Sequence, residues 1–222
     1  EKNYNVVLLG RNISNLIPDD TEKKNYMSVE CDVSKYEIVQ KTFKNIFNKY
    51  GRIDVLFNNA GIGNPANTID LISKDQWDNL IDINLNGSFY CAKEAFFYMR
   101  KQNPKGGRII NNGSISAHVP RPGSTPYTVS KHAITGLTKS ISLDGRKFNI
   151  SCSQIDIGNA ATDMTKKMSE GITQANGDIL REPTMNVRHV AQSVFNIAEL
   201  PLDTNIQFMT IMASSMPYIG RG

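Results

Sequence analysis

The chain has 222 residues, 40% of them hydrophobic and 21% charged, enough to bury one sizeable core, so it reads as a single domain over residues 1–222. No apolar run approaches the ~20 residues that a membrane span needs and no signal-peptide pattern opens the chain, so a cytoplasmic protein with no membrane contact is expected. The net charge of +4 is mild, its Lys and Arg residues are scattered among acids, and the three cysteines (Cys31, Cys91, Cys152) have no C-x-x-C spacing, which argues against a nucleic-acid partner and for buried thiols in a reducing compartment.

The run Tyr4 to Leu9 is continuously apolar, as in a parallel strand covered on both faces, and ends in Gly10-Arg11-Asn12. A polar segment follows. Met27 to Cys31 reads as a second strand that continues into Asp32 and Val33; Asp32 and Ser34 then precede the amphipathic stretch Tyr36 to Tyr50, where Asp32 reads as a helix N-cap. Ile53 to Phe57 is a third strand, running into Asn58-Asn59-Ala60-Gly61. Small residues just past the C-terminal end of a parallel strand let backbone approach a ligand. Trp77 to Gln102 reads as one long helix whose apolar positions can cover the sheet on one face and a partner on another, with Asn84 mildly unfavourable in its interior.

Arg108 to Asn112 is a buried strand, followed by a polar loop carrying Ser114 and by a helix from Ser124 or Thr125 to about Lys147, with Pro126 at its first position. Tyr127 and Lys131, four residues apart, share one face of that helix. A free Tyr titrates near pH ~10, so it needs a neighbouring positive charge to serve as acid or base at pH 7. Asn149 to Asp156 is a further strand. Asp163 to Arg181 suits either a lid over a substrate pocket or a solvated excursion, Val187 to Leu200 a helix, and Ile206 to Met212 the last strand. Strands alternating with helices define an α/β, doubly wound parallel sheet. His118 is placed to touch substrate, whereas His132 and His189 read as packing or surface residues; none has a second ligand at metal spacing, so no metal is expected. Arg121, in the same loop as His118, reads as a plain surface residue or else as a partner for an anionic substrate group.

Tyr127-x-x-x-Lys131 alone is a weak signal. With Ser114 thirteen residues before the Tyr, Asn58 to Gly61, Cys31 to Ser34, and Ile83 to Gly87, all in that order, the chain resembles the short-chain dehydrogenase/reductase family, and the resemblance loosens only after about Thr162. It implies a three-layer, Rossmann-like fold and hydride transfer between a nicotinamide cofactor and a small-molecule carbonyl or secondary alcohol. By the same resemblance Tyr127 is the general acid/base, Lys131 lowers its pKa and holds ribose, Ser114 bonds the substrate oxygen, and Asn84 disturbs its helix and orders a relay water. Arg11, standing where an acid would read a 2′-hydroxyl, implies NADP over NAD. Asp32 and Val33 would meet the adenine; Asn59, Ala60 and Gly61 would wall the cofactor cleft; Tyr127 and Lys131 also touch cofactor; Ala160 and Thr162 would lie on the nicotinamide side. The two long helices would join subunits into a homodimer or homotetramer.

Two departures stand out. The family's Pro-Gly after the strand ending near Ile157 is Ile157-Gly158 here. More important, the Gly-rich turn TGxxxGxG and its strand are missing, and that strand would lie between Tyr4–Leu9 and Ile53–Phe57. An N-terminally truncated enzyme is one reading; a short, non-catalytic relative acting as a partner subunit is the other. Removing a central strand leaves its neighbours without ladder partners, so the 222-residue chain is expected to fold poorly and bind no NADPH, and a chain with roughly 30 to 35 more N-terminal residues to do both.

Overall fold

The structure, a computed structural model, describes residues 4–13, 26–63 and 66–219, so the polar segment between the first two expected strands and the last three residues lie outside it. In chain order it forms β1 (Val6–Gly10), β2 (Tyr26–Glu30), α1 (Tyr36–Tyr50), β3 (Val55–Asn58), α2 (Lys74–Ile81), α3 (Gly87–Lys101), β4 (Gly107–Asn112), α4 (Thr125–Gly145), β5 (Ile150–Ile157), α5 (Lys166–Glu170), β6 (Ile172–Thr173), β7 (Ile179–Leu180), α6 (Val187–Glu199) and β8 (Phe208–Ile211). All six expected parallel strands are present, within two residues of their expected ends, and every ladder among them is parallel. The antiparallel pair β6–β7 is a separate small hairpin.

The sheet is divided. β1 pairs with β2, and β3, β4, β5 and β8 pair in that order, but among the described residues no ladder joins β1 to β3. The division falls where the sequence reading places the missing strand. Packing still bridges it: Val7 and Leu9 of β1 and Leu56 of β3 rest on one cluster with Phe43, Ala95 and Ile109. Side chains alternate across a strand, so Ile109 and Cys152 face α1, α3 and α4 on one side, while Ile110 and Ile155 face Val190 and Ile197 of α6 on the other. The result is helix, sheet, helix, as expected for a doubly wound fold.

Local chemistry explains where the helices differ from expectation. The long helix begins at Lys74, three residues before Trp77, because Ser73 caps it: Ser73 Oγ accepts the Gln76 N–H at 3.1 Å and Gln76 Oε1 accepts the Ser73 N–H at 3.0 Å. It is interrupted by a π turn over Asp82–Asn86 before continuing as α3. Asp32 does not cap α1. Its Oδ1 closes a turn on Ser34 instead, accepting from the backbone N–H at 3.0 Å and the hydroxyl at 2.7 Å, and Lys35 stands at the cap position. In α4, Pro126 follows Thr125 and is therefore the second helical residue. No helix among the described residues is long and apolar enough to cross a membrane.

Candidate active site

Parallel strands end at a common edge, and β3, β4 and β5 deliver Asn58 to Gly61, Asn112 to Ser114, and Gly158 to Thr162 to theirs. Asn112 Nδ2 donates to Asn59 Oδ1 at 2.8 Å, joining two of these loops. In the smaller sheet Arg11 and Asp32 follow β1 and β2. Burial disfavours the charged Asp32 carboxylate, but the Ser34 bonds and the nearby Arg11 and Lys35 charges outweigh it and hold its pKa below the usual range. Val33 packs directly on Gly87, one residue past the π turn, so this end of the smaller sheet abuts the segment that carries Asn84.

The expected reacting groups meet. Ser114 is extended, its hydroxyl accepts the Ser116 N–H at 3.1 Å, and it stands near enough to the Tyr127 phenol to favour the ionised form. The Lys131 ammonium lies 5.5 Å from the centre of the Tyr127 ring and donates to the Asn112 carbonyl at 2.7 Å. Part of Tyr127 is exposed, but its phenol end is enclosed; burial pushes its pKa up and the nearby Ser114 hydroxyl only partly offsets this. Lys131 is itself buried, which brings its pKa down to about 8 against an opposing pull from Asp156. Asn84 is buried in the π turn, where its Oδ1 accepts the Ile62 N–H at 2.8 Å and its Nδ2 donates to the Ile62 carbonyl at 3.0 Å. Its own carbonyl accepts from Ser88 Oγ at 2.9 Å.

Other expected residues stand apart from this group. Ala160 is buried and bridges to Met185, while Thr162 is exposed and caps a short turn with Thr165. Arg121 is not a plain surface residue: its guanidinium donates to both Glu182 oxygens at 2.6 Å and to Asn159 Oδ1 at 3.2 Å, with the side chains 10% and 0% exposed for Arg121 and Glu182. Glu182 also accepts from Asn159 Nδ2 at 2.7 Å and Gln174 Nε2 at 3.0 Å. Burial works against its charge, but these bonds and the Arg121 cation bring its pKa down to about 2. The segment Asp163 to Arg181 is therefore tied to the loop before α4 and is not a free excursion.

A buried polar chain behind the site went unseen in the sequence. Asn58 Nδ2 donates to Asn111 Oδ1 at 2.9 Å, Asn111 Nδ2 to Thr138 Oγ1 at 2.9 Å, Thr138 Oγ1 to Gln154 Oε1 at 3.1 Å, and Gln154 Nε2 to Asp156 Oδ1 at 2.7 Å. The available signal was the period-two placement of Gln154 and Asp156 in a strand that helices must cover on both faces. A cavity of about 550 Å³ lies elsewhere, between α3 and α4, lined by Phe89, Phe96, Leu137, Ile141, Leu143 and Phe148 among others.

Comparison with known proteins places this constellation. Residues 1–173 match the short chain dehydrogenase family. The chain is 35% identical over 206 residues to carbonyl reductase family member 4 of Xenopus laevis, covering 92% of this chain and 84% of that one. It is 37% identical over 144 residues to the 3beta-hydroxysteroid dehydrogenase of Mediterraneibacter gnavus, covering 65% of this chain and only 51% of that protein, so it spans about half the length of this relative. Among solved structures, ElxO with NADP bound superposes with a TM-score of 0.82 at 25% identity, covering 94% of this chain and 87% of the other. The chain belongs to the short chain dehydrogenase family.

Proposed function

We propose that the protein transfers a hydride reversibly between NADP(H) and a carbonyl or secondary alcohol. The observation that carries this reading is the buried Lys131 ammonium, 5.5 Å from the centre of the Tyr127 ring and held on the Asn112 carbonyl at 2.7 Å, at the strand end that carries Ser114. The residues present fit the adenosine and nicotinamide ends of such a nucleotide along the strand edge, while its pyrophosphate would need the Gly-rich turn that these 222 residues do not contain. Asn59 and Ala60 are exposed, and Gly61 lies so close to Asn84 that a Cβ there would come within 3.3 Å of its Oδ1, so bare backbone is what this wall presents. Arg11, beside Asp32, offers a guanidinium suited to a 2′-phosphate, and ElxO, one of the solved proteins similar to this chain, is an NADP complex. Asp32 and Val33 would flank the adenine, and Ala160 and Thr162 the nicotinamide side.

A reduced nicotinamide bound along this edge would supply the hydride for the carbonyl carbon. Ser114 donates to the carbonyl oxygen and orients it. Tyr127 gives its proton to that oxygen as negative charge develops, and burial favours the neutral phenol that this direction needs. The resulting phenolate is stabilised by the Lys131 ammonium and recovers a proton through water held at Asn84, whose carbonyl keeps a lone pair beyond the one Ser88 uses. In the oxidative direction the same groups run in reverse. The protein is further proposed to act in the cytoplasm as a homodimer or homotetramer, with a second copy covering the apolar groove between α3 and α4.

Tyr127→Phe, made in a protein that carries the Gly-rich turn, tests the central assignment. Turnover of a carbonyl panel is expected to fall by ~10²–10⁴, with NADPH the better donor than NADH in the parent. Turnover of the variant within about tenfold of the parent would overturn the assignment.

A further inference from the structure

Asp156 is a buried carboxylate for which the reaction just described has no use. It is 1% exposed near the end of β5, and each of its oxygens is engaged. Oδ1 accepts the Ser114 N–H at 3.0 Å as well as the Gln154 amide, and Oδ2 meets His118 Nε2 at 2.8 Å. The approach is built in, because Oδ1 sits so close over Gly113 that a Cβ there would collide with it. Gln154 is fixed in turn: its Nε2 donates to Thr135 Oγ1 at 3.0 Å, and its Oε1 accepts from Thr138. The polar chain therefore starts beneath Asn58, runs through fully buried side chains, and ends on the backbone of Ser114, reaching solvent at the half-exposed His118.

We propose that Asp156 is a positioning residue for this active site: its carboxylate fixes the Ser114 backbone and supplies a negative charge to the buried Lys131 ammonium, while His118 holds the second oxygen so that the first stays turned inward. The inference rests on the reading of Ser114, Tyr127 and Lys131 as the reacting group. A hydrogen bond to an ionised acceptor is stronger than one to a neutral group, so the Ser114 amide is held more firmly than a carbonyl would hold it, and the hydroxyl is presented to Tyr127 from a fixed frame. The ammonium gains as well. Burial strips its hydration, and the charged or titratable side chains around it are Asp156 from β5 and Tyr127 from its own helix; those around the carboxylate are Lys131 and His118.

Two variants separate position from charge. Asp156→Ala removes both, and amide hydrogen exchange at Ser114 is expected to accelerate about tenfold or more, the loss of one charge-assisted bond. Asp156→Asn keeps an oxygen for the Ser114 N–H but no charge, so exchange rises less than in Asp156→Ala while the Lys131 titration, followed by NMR of its side chain, moves below about 8. In both variants kcat falls more than KM rises. An unchanged Ser114 exchange rate in Asp156→Ala, or an unmoved Lys131 titration in Asp156→Asn, overturns the inference; if the Ala variant does not fold, the Asn variant decides it alone. Tyr127→Phe is the control that tells the two readings apart. If that variant keeps its turnover while Ser114 and Lys131 respond as described, the reaction assignment fails and the positioning role of Asp156 stands.

Discussion

Lys131 shows what a buried ammonium costs the fold. Its ammonium is buried, its pKa stands at about 8 against an ordinary 10.5, and its direct hydrogen bond is to the neutral carbonyl of Asn112. Between those two pH values the unfolded chain binds more protons than the folded one, so stability rises as pH climbs through that window, and below pH 8 the folded state carries the full penalty of the buried charge. Lys131→Met removes the charge at the cost of one hydrogen bond. At pH 7 it is expected to raise the unfolding free energy by about 1 to 2 kcal/mol while abolishing turnover, and the gain should shrink towards pH 10. Urea unfolding of both proteins at pH 7 and pH 10 measures this; a variant less stable than the parent at pH 7 contradicts it.

At the scale of elements, two buried ionic or polar clamps hold irregular chain to the sheet. Arg108, 1% exposed at the start of β4, reaches the turn between α6 and β8, donating to the carbonyls of Leu200, Pro201 and Thr204 at 2.9 to 3.2 Å and to Asn205 Oδ1 at 2.9 Å. Glu182 does the corresponding work for the β6–β7 hairpin through Arg121, Asn159 and Gln174. Because its folded pKa is depressed to about 2 from 4.5, the stability it contributes is complete above pH 4.5 and is lost as pH falls towards 2. Glu182→Gln leaves the Arg121 cation buried without its counter-charge and is expected to cost about 2 to 4 kcal/mol, with the 163–181 segment becoming the first site of limited proteolysis at pH 7. The parent should show the same cleavage pattern only in acid. Equal resistance of the two proteins at pH 7 would show that the hairpin is held by something else.

For the whole molecule, the groove between α3 and α4 and the divided sheet are the features that packing within one chain leaves open. Phe89 is 47% and Leu143 60% exposed at that groove, a large apolar surface for a lone chain, and a second copy laid across it would bury both. Leu143→Glu is expected to shift the protein to a monomer in sedimentation at micromolar concentration, with the secondary structure unchanged. A parent that is already monomeric there contradicts the proposed assembly. Across the division in the sheet, β1 and β3 keep their places through α1 and α3 beneath them, with Val7, Leu9 and Leu56 sharing one core.

The sequence by itself determined the parallel strands, the helices between them and the meeting of Ser114, Tyr127 and Lys131. These follow from local patterns: apolar runs, a four-residue helical spacing, and a strand whose end must face a common edge. Its misreadings were non-local. Arg121 looked like a surface residue because its partner Glu182 lies sixty-one positions away. Asp156 was only the end of a strand, since its partners Ser114 and His118 arrive from another loop. Lys131 and Tyr127 were expected on one helix face, and only the tertiary structure decided that burial is the largest influence on both groups. Spacing along a chain sets which side chains share a face; how far water is excluded from that face is set by everything packed around it.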